Sequence, residues 1–216
     1  DLSFTAVYDQ DKYTVTYLDM DSVTNLYEYE VNSAAVVNVY LPKVNHSGYT
    51  FDHWNSLNGD SIVFPITIDA QDTTMIAVYS LNRYNLTFNY GVGDSVISKR
   101  TYFYRCEVEA IDEPAREGYT FAGWDKEIPS TMPAQNITIT ALWTINPHSF
   151  NYIVDNVKTT IEYNYGESVE EPKTAKKEGH TFVGWIDSER NGLLIEFPFD
   201  MQDKDTTVYA AYTVNL

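Results

Sequence analysis

Residues that could do covalent or acid–base chemistry are few in this sequence, and none of them forms a catalytic pattern. Cys106 is the only cysteine among the 216 residues. A nucleophilic thiol needs a nearby base or cation to form its thiolate, and no His stands in a patterned relation to Cys106. A Gly-x-Ser-x-Gly elbow and a Gly-x-x-x-x-Gly-Lys phosphate loop are absent from the sequence. We therefore predict no catalytic residue, no cofactor and no enzyme activity, and interpret Cys106 as an incidental residue at a strand end.

Histidines and paired carboxylates would be the ligands of a metal site or the acid and base of a glycosidase. The four histidines are His46, His53, His148 and His180. They lack the His-x-x-x-His spacing of a zinc site, and two of them stand at positions that repeat as Tyr elsewhere in the chain. Carboxylate pairs such as Glu170/Glu171 and Asp203/Asp205 lack the Asp-x-Asp-x-Asp-Gly ladder of a calcium loop. We predict no metal site and interpret these pairs as solvated acidic loops.

Composition excludes two further classes of partner. The chain has 31 acidic and 14 basic side chains, which gives a formal net charge of −17. A nucleic-acid interface needs clustered Lys and Arg, and no apolar run reaches the roughly 18 residues that suggest a bilayer span. We therefore predict no nucleic-acid partner and no membrane insertion of this segment. A hydrophobic content of 44% with 15% aromatic residues predicts a folded core beneath the charge.

One heptapeptide pattern, Gly-aromatic-Thr-Phe-x-x-Trp, occurs three times and organises the chain. Its copies begin at Gly48, Gly118 and Gly179, so that the spacings are 70 (48 to 118) and 61 (118 to 179). Each copy ends on a Thr-x-x-Ala-x-aromatic pattern. The residues that we assign to this structural motif are Gly48, Tyr49, Phe51, Trp54, Gly118, Tyr119, Phe121, Trp124, Gly179, Phe182, Trp185, Ala77, Ala141 and Ala210. We expect their side chains to build cores rather than ligand sites, Trp124 in the second repeat included.

The recurring patterns predict the domain boundaries. The repeats span 10–80, 81–145 and 146–216, and residues 1–9 are interpreted as the trailing strand of a preceding repeat. A pair of aromatics precedes each motif: Tyr27/Tyr29, Tyr102/Tyr104 and Tyr163/Tyr165. The distance from the second of each pair to the motif glycine is 19 (29 to 48), 14 (104 to 118) and 14 (165 to 179). We therefore interpret the first repeat as the divergent one, with a longer segment at 31–47, and align Cys106 with Val31 and Glu167.

Local patterns predict that each repeat consists of at least four short strands. Apolar and polar residues alternate after each repeat boundary, as in Tyr-Thr-Val-Thr-Tyr at 13–17, which is typical of a half-buried strand. Asp155 and Asn156 stand between two valines and predict a two-residue hairpin turn, because Asp and Asn tolerate positive φ. Phe and Trp of the motif are three residues apart, on opposite faces of a regular strand. A bulge between them would bring both rings to one core.

The links between repeats are only a few residues long, as at 80–83. Linkers this short restrict bending, so we predict an extended, rod-like array. Small-angle X-ray scattering of the chain checks this prediction. A radius of gyration near roughly 17 Å, the value for one compact domain of this length, would contradict it.

The motif residues also resemble a known family. Residues 113–124, Glu-Pro-Ala-Arg-Glu-Gly-Tyr-Thr-Phe-Ala-Gly-Trp, and 131–138, Thr-Met-Pro-Ala-Gln-Asn-Ile-Thr, resemble the Listeria-Bacteroides repeat family, which includes the B repeat of internalins. The resemblance implies a mainly β, β-grasp-like fold with little helix, here in three tandem small modules. It also implies a place on bacterial surface or secreted proteins, and it supplies no catalytic residues.

These inferences lead to one functional expectation and one alternative. We expect a non-catalytic stalk or spacer of a bacterial protein that is secreted or attached to the cell wall and serves as an adhesin. Its expected partners are a host or neighbouring-cell surface protein or glycan, and adjacent repeats of the parent chain. The alternative is a ligand-binding module for a protein or glycan, centred on the divergent first repeat.

Overall fold

The computed structural model describes residues 9–91, 97–173, 176–187 and 192–215, together with Ser3 and Thr5. Most of the predicted trailing strand at 1–9 lies outside the described residues, so that assignment stays a prediction. All helix and strand elements found in the described part of the chain are strands. Two compact units are present; the first contains the first repeat, the second contains the third, and the second repeat contributes residues to both.

The first repeat is a four-stranded mixed sheet with a small ladder beside it. Its strands are β1 (Lys12–Leu18), β2 (Asn25–Asn32), β3 (Val36–Val37), β4 (Tyr49–Ser56), β5 (Ile66–Thr67) and β6 (Thr73–Leu81). The sheet order is β2-β1-β6-β4, in which β1 is antiparallel to β2 and parallel to β6, while β3 pairs with β5. The alternation at 13–17 places Val15 and Tyr17 in the core, both fully buried.

The other two repeats carry sheets of the same order. The second has β7 (Arg83–Asn89), β8 (Ile97–Phe103), β9 (Tyr119–Trp124) and β10 (Ile137–Ile145), ordered β8-β7-β10-β9. The third has β11 (Pro147–Val154), β12 (Val157–Asn164), β13 (Ser168–Val169), β14 (His180–Asp187), β15 (Phe199–Asp200) and β16 (Thr206–Val214), ordered β12-β11-β16-β14 with β13 on β15. The predicted mainly β class is therefore confirmed. The β-grasp designation stays a prediction, because the described residues between β2 and β4 form an extended segment without a helix.

Matching positions of the three sheets supply the cores. In the first repeat the buried side chains are Val15, Tyr17, Val37, Trp54, Ile68, Met75 and Ala77. In the third they are Phe150, Val169, Trp185, Met201 and Val208. The second repeat buries Leu86, Phe88, Met132, Ile139 and Ala141 at the corresponding positions. Each repeat thus buries its own set of apolar side chains, as expected for repeats that fold largely independently.

The predicted hairpin turn and the predicted bulge are both present. Asp155 and Asn156 have φ of 45° and 67°, and Val154 pairs with Val157 across them. In all three repeats the pairing of the motif strand slips by one residue between Phe and Trp. The ring centroids of each Phe–Trp pair consequently lie 5.2, 5.2 and 5.5 Å apart. The extra residue turns Phe and Trp to the same side of the sheet.

The alignment of the aromatic pairs was wrong for the first repeat. Tyr13 pairs with Val31 in the ladder, whereas the equivalent His148 pairs with Tyr163. The turn after β2 shows the same shift. The amide of Ala34 donates to the carbonyl of Ile68. The equivalent bonds in the other repeats run from Arg105 to Met132 and from Gly166 to Met201. Matching by residue type failed because β2 continues three residues beyond Tyr29, to Asn32.

Ser33 therefore occupies the position of Tyr104 and Tyr165, and Cys106 corresponds to Ala35 rather than to Val31. The distance to the motif glycine becomes 15 (33 to 48) against 14 in the other repeats, so the segment at 31–47 is longer by one residue, not five. The repeats differ more in length in the segment after the motif, between its Trp and the closing Ala. From the motif Trp to the closing Ala the distances are 23 (54 to 77), 17 (124 to 141) and 25 (185 to 210), which makes the second repeat the short one.

Candidate interaction sites

The motif residues divide into those that pack within a repeat and those that meet the next repeat. Trp54 and Trp185 are 1% exposed, and Ala77 and Ala141 are buried. The half-buried members are Tyr49, Phe51, Tyr119, Phe121, Trp124, Phe182 and Ala210. The glycines differ from one another, because Gly48 and Gly118 are buried whereas Gly179 is exposed.

The junction between the first and second repeats is built on Gly48, Asn82 and Tyr104. The amide of Asn82 donates to the carbonyl of Gly48 at 2.9 Å, and the amide of Tyr104 donates to the carbonyl of Asn82 at 2.9 Å. Gly48 has φ of 86°, and a Cβ there would collide with the ring of Tyr104. The Tyr49 ring meets that ring edge-on, with centroids 5.6 Å apart. Glycine is required at this position both for its backbone conformation and for the close approach of the ring.

The junction between the second and third repeats repeats this arrangement atom for atom. The amide of Asn146 donates to Gly118 and the amide of Tyr165 donates to Asn146, both at 2.9 Å. A Cβ on Gly118 would collide with the Tyr165 ring, and Tyr119 meets that ring edge-on at 6.2 Å. In both junctions a motif Thr hydroxyl donates to the Asn side-chain oxygen, at 2.7 Å from Thr50 and 2.6 Å from Thr120. The junction is thus a recurring structure, not an accident of one contact.

Asp203 adds a carboxylate to the second junction. It accepts hydrogen bonds from the Gly118 amide at 3.1 Å, from Asn146 Nδ2 at 3.1 Å and from His148 Nε2 at 2.8 Å. The hydrogen bonds from Asn146, Gly118 and His148 lower the pKa of the Asp203 carboxyl. The interpretation of Asp203 as part of a solvated loop is therefore corrected. The first repeat pair has Ala134 and Tyr84 at the positions of Asp203 and His148, so its junction carries no such acid.

Low pH should reduce the contribution of the Asp203 carboxylate to the stability of the fold. Because its folded pKa lies below the ordinary value, the carboxylate stabilises the fold, and that contribution is complete above the unfolded pKa of about 3.9. It is lost as the pH falls through the lowered folded value. Thermal unfolding of wild type and Asp203→Asn should therefore differ by a constant amount from neutral pH down to about 3.9 and converge below it.

Asp200→Asn is the control for that prediction, because the structure shows the Asp200 backbone carbonyl, rather than its carboxylate, accepting the bond from Gln202. Its midpoint should follow wild type at every pH. A difference between Asp203→Asn and wild type that persists unchanged at acidic pH would contradict the assignment of the junction to the ionised carboxylate.

A basic side chain two residues before each motif glycine was missed by sequence reasoning. The three residues are His46, Arg116 and Lys177. His46 meets Tyr79 edge-on at 4.8 Å, Arg116 lies 3.6 Å over the Tyr119 ring, and Lys177 lies 5.4 Å over the Tyr212 ring. The recurrence of a basic residue type two positions before the motif glycine was the signal that could have revealed these ring contacts.

In two repeats an acid from the first hairpin completes this contact. His46 Nε2 lies 2.8 Å from the buried carboxylate of Asp19, and Lys177 Nζ lies 2.6 Å from Asp155. The hydrogen bond that Lys177 donates to the Asp155 carboxylate raises the pKa of Lys177. Burial together with the Asp19 charge raises the pKa of Tyr79 to about 12. These pairs fasten the loop before the motif to the first hairpin. They stabilise single repeats.

Removing the cation of the second repeat tests this role. Arg116→Ala should lower the stability of that repeat by about 1 kcal/mol, because the guanidinium loses its contact with the Tyr119 ring. Chemical unfolding monitored by the tryptophans measures the loss. Lys99→Ala, which changes an exposed cation of the same repeat, is the control and should stay within about 0.5 kcal/mol of wild type. An equal loss in both variants would contradict the assignment.

An apolar surface distinguishes the first repeat from the other two. Val36, Val39, Leu41 and Val44 are all between 44% and 65% exposed. Val39 and Leu41 also line a pocket of about 350 Å³ that reaches Phe51 and Trp54. The matching segments of the other repeats are charged, with Glu107, Glu109, Asp112, Glu113, Glu170, Glu171 and Lys173. We call Val36, Val39, Leu41 and Val44 the apolar patch.

Two features are absent from the described residues. Among them, no group of three or more His, Cys, Asp or Glu side chains is placed to hold a metal ion. The same part of the chain contains no helix with the length and hydropathy needed to cross a bilayer. Cys106 is exposed.

The arrangement defines a class: tandem all-strand repeats of one plan, joined directly through a glycine, an asparagine and a tyrosine. The profile of the Listeria-Bacteroides repeat domain matches residues 13–78, 84–142 and 148–211. The chain therefore belongs to the Listeria-Bacteroides repeat family. Each matched range lies within one of the three repeats.

Two of the similar proteins are bacterial. A Gly-rich predicted membrane protein of Evansella cellulosilytica is 28% identical over 100% of this chain and 27% of its own length. Internalin H of Listeria monocytogenes is 29% identical over 80% of this chain and 31% of its own length. The chain thus spans about a third or less of these relatives.

Among solved structures, Streptococcal High Identity Repeats in Tandem (SHIRT) domains 3–4 from a cell surface protein are 13% identical. The match covers 62% of this chain and 98% of that one, with a TM-score of 0.25.

Proposed function

We propose that this chain is a non-catalytic stalk or spacer of a bacterial surface protein, exposed outside the cell and contributing to adhesion. One observation carries the proposal: consecutive repeats are joined by the same hydrogen-bonded junction, with no flexible linker between the closing strand of one and the first strand of the next. Directly joined repeats hold their neighbours in fixed register, which is what a spacer requires.

Charge supports the same proposal. The excess of acids, 31 against 14 bases, keeps neighbouring copies on a crowded surface apart and soluble. Membership of the repeat family and the similarity to internalin H support an extracellular place. Adhesion would follow if the chain, or a domain that it presents, contacts a host or neighbouring-cell protein or glycan.

Display on a bacterial surface tests the spacer role. The chain would carry an epitope at its far end, and antibody access through the surface layer would be compared between the whole chain and a variant without 84–142, the matched range of the second repeat. Access should fall in the shortened variant. A variant of equal access would contradict a spacer function. Binding of the purified chain to host cells, measured separately, tests the adhesive part.

The alternative is that the first repeat binds a protein or glycan through the apolar patch. Four exposed aliphatic side chains on one segment are unusual for a chain this acidic and favour a protein partner over solvent. Leu41→Asp should abolish such binding in a pull-down or glycan array. Leu193→Asp, which changes an equally exposed leucine of the third repeat, is the matched control. Equal binding by both variants would exclude the patch.

A further inference from the structure

The third repeat contains the same glycine, threonine and asparagine that the first and second repeats contribute to their junctions, but no tyrosine ring of the described residues covers its glycine. The amide of Asn215 donates to the carbonyl of Gly179 at 2.9 Å, and Thr181 Oγ1 donates to Asn215 Oδ1 at 2.7 Å. These bonds match those of Asn82 with Gly48 and of Asn146 with Gly118. Asn215 follows β16 directly, as the other two asparagines follow β6 and β10.

The third repeat differs from the first two in the empty space beside its motif glycine, Gly179. Gly48 and Gly118 are buried beneath tyrosine rings, whereas Gly179 is exposed, and no described residue lies within 4 Å of where its Cβ would be. Yet Gly179 keeps the positive φ of the others, 69° against 86° and 75°. An aromatic ring, His180, also stands where Tyr49 and Tyr119 flank the docked rings. The backbone and hydrogen bonds of the site are formed without the ring that they receive elsewhere.

We propose that the face formed by Gly179, Thr181 and Asn215 is a docking site for a further repeat of this kind, which inserts a tyrosine against Gly179. The tyrosine amide donates to the Asn215 carbonyl, as Tyr104 and Tyr165 donate to Asn82 and Asn146. The occupied junctions of this same chain fix the identity of the occupant. The proposal rests on junction geometry and not on the stalk or adhesion function.

The three repeats differ in what they offer as the incoming partner. A repeat like the third supplies both the tyrosine, Tyr165, and the junction carboxylate, Asp203. A repeat like the second supplies Tyr104 but Ala134 in place of the acid. A repeat like the first supplies neither, since Ser33 and Ala70 occupy those positions. The docking site should therefore prefer a repeat of the third kind and reject one of the first.

An extended chain tests the proposal. Residues 1–215 are followed by a second copy of 147–216, so that Pro147 of the copy succeeds Asn215 as it succeeds Asn146. Gly179→Ala is introduced into the extended chain and into the original chain. In the original chain the substitution meets only the strain of positive φ. In the extended chain its Cβ also displaces the incoming ring, and the unfolding midpoint should fall by a further 4–8 °C or so.

A second variant keeps the test decisive if Gly179→Ala disturbs folding. Tyr165→Ser, made only in the added copy, reproduces the residue found at Ser33. It should remove the extra shift and the slow exchange of the added Tyr165 amide measured by hydrogen exchange. Equal effects of Gly179→Ala in both chains, or unchanged protection after Tyr165→Ser, would overturn the proposal. Concentration-dependent self-association of the original chain that Gly179→Ala abolishes would assign the face to a second copy of this chain instead, and would also overturn it.

Discussion

Trp54→Ala should unfold the first repeat while leaving the third intact. The side chain is 1% exposed and packs against Tyr17 with ring centroids 4.9 Å apart, and its Nε1 donates to the Tyr40 carbonyl at 2.7 Å. Truncating a buried Trp costs about 3–5 kcal/mol. A repeat of this size has only about 4–11 kcal/mol of stability, so the loss is comparable with the whole.

Hydrogen exchange across the full chain measures this result, because it reports each repeat separately. Trp185→Ala should unfold the third repeat in the same way. Trp124→Ala is the graded control, since that ring is half-buried and should cost less. Trp54→Phe should cost more than Trp185→Phe, because Trp185 Nε1 has no hydrogen-bond partner among the described residues. Exposure of all three repeats after Trp54→Ala would contradict independent cores.

Gly118→Ala should strongly destabilise the junction between the second and third repeats. Alanine at this position must keep the backbone φ of 75°, which costs about 1–2 kcal/mol in a residue other than glycine. Its Cβ also collides with the Tyr165 ring. Displacing a packed ring costs about 1–3 kcal/mol more. Gly48→Ala should behave alike at the first junction.

Gly179→Ala in the same chain separates the two costs. It has the same strained φ but meets no described neighbour, so its effect should be limited to about 1–2 kcal/mol. Chemical unfolding of the three variants gives the comparison. Equal losses for Gly118→Ala and Gly179→Ala would show that the tyrosine yields freely and that the junction contributes little to stability.

Features encoded over a few residues were predictable, and features that join distant residues were not. Alternation over 13–17, the Asp-Asn turn and the three-residue Phe–Trp spacing each determine a local geometry, and the structure shows all three. Gly48 was assigned to a core and not to a junction. Its partner, Tyr104, lies 56 residues further on (48 to 104), and no local pattern connects the two. Asn82, Asn146 and Asn215 were visible after each closing strand but had no assigned role.

The misalignment of the first repeat arose because equivalent positions were chosen by residue type. Tyr27 and Tyr29 resembled the aromatic pairs of the other repeats, yet the hydrogen bonds of the following turn place Ser33 at the position of Tyr104. Backbone bonds identify equivalent positions more securely than side-chain identity, because they are fixed by the sheet. The apparent long segment at 31–47 disappeared once this register was known.

The unequal junctions bear on how the chain would respond to mechanical load. A pulling force along a chain of repeats is transmitted through whatever connects them, and the weakest connection parts first. Both junctions share the glycine, asparagine and tyrosine bonds, but only the one between the second and third repeats is reinforced by the carboxylate of Asp203, which bonds Gly118, Asn146 and His148. Under tension the first junction should therefore yield before the second, so the chain would lengthen in ordered steps instead of rupturing at once.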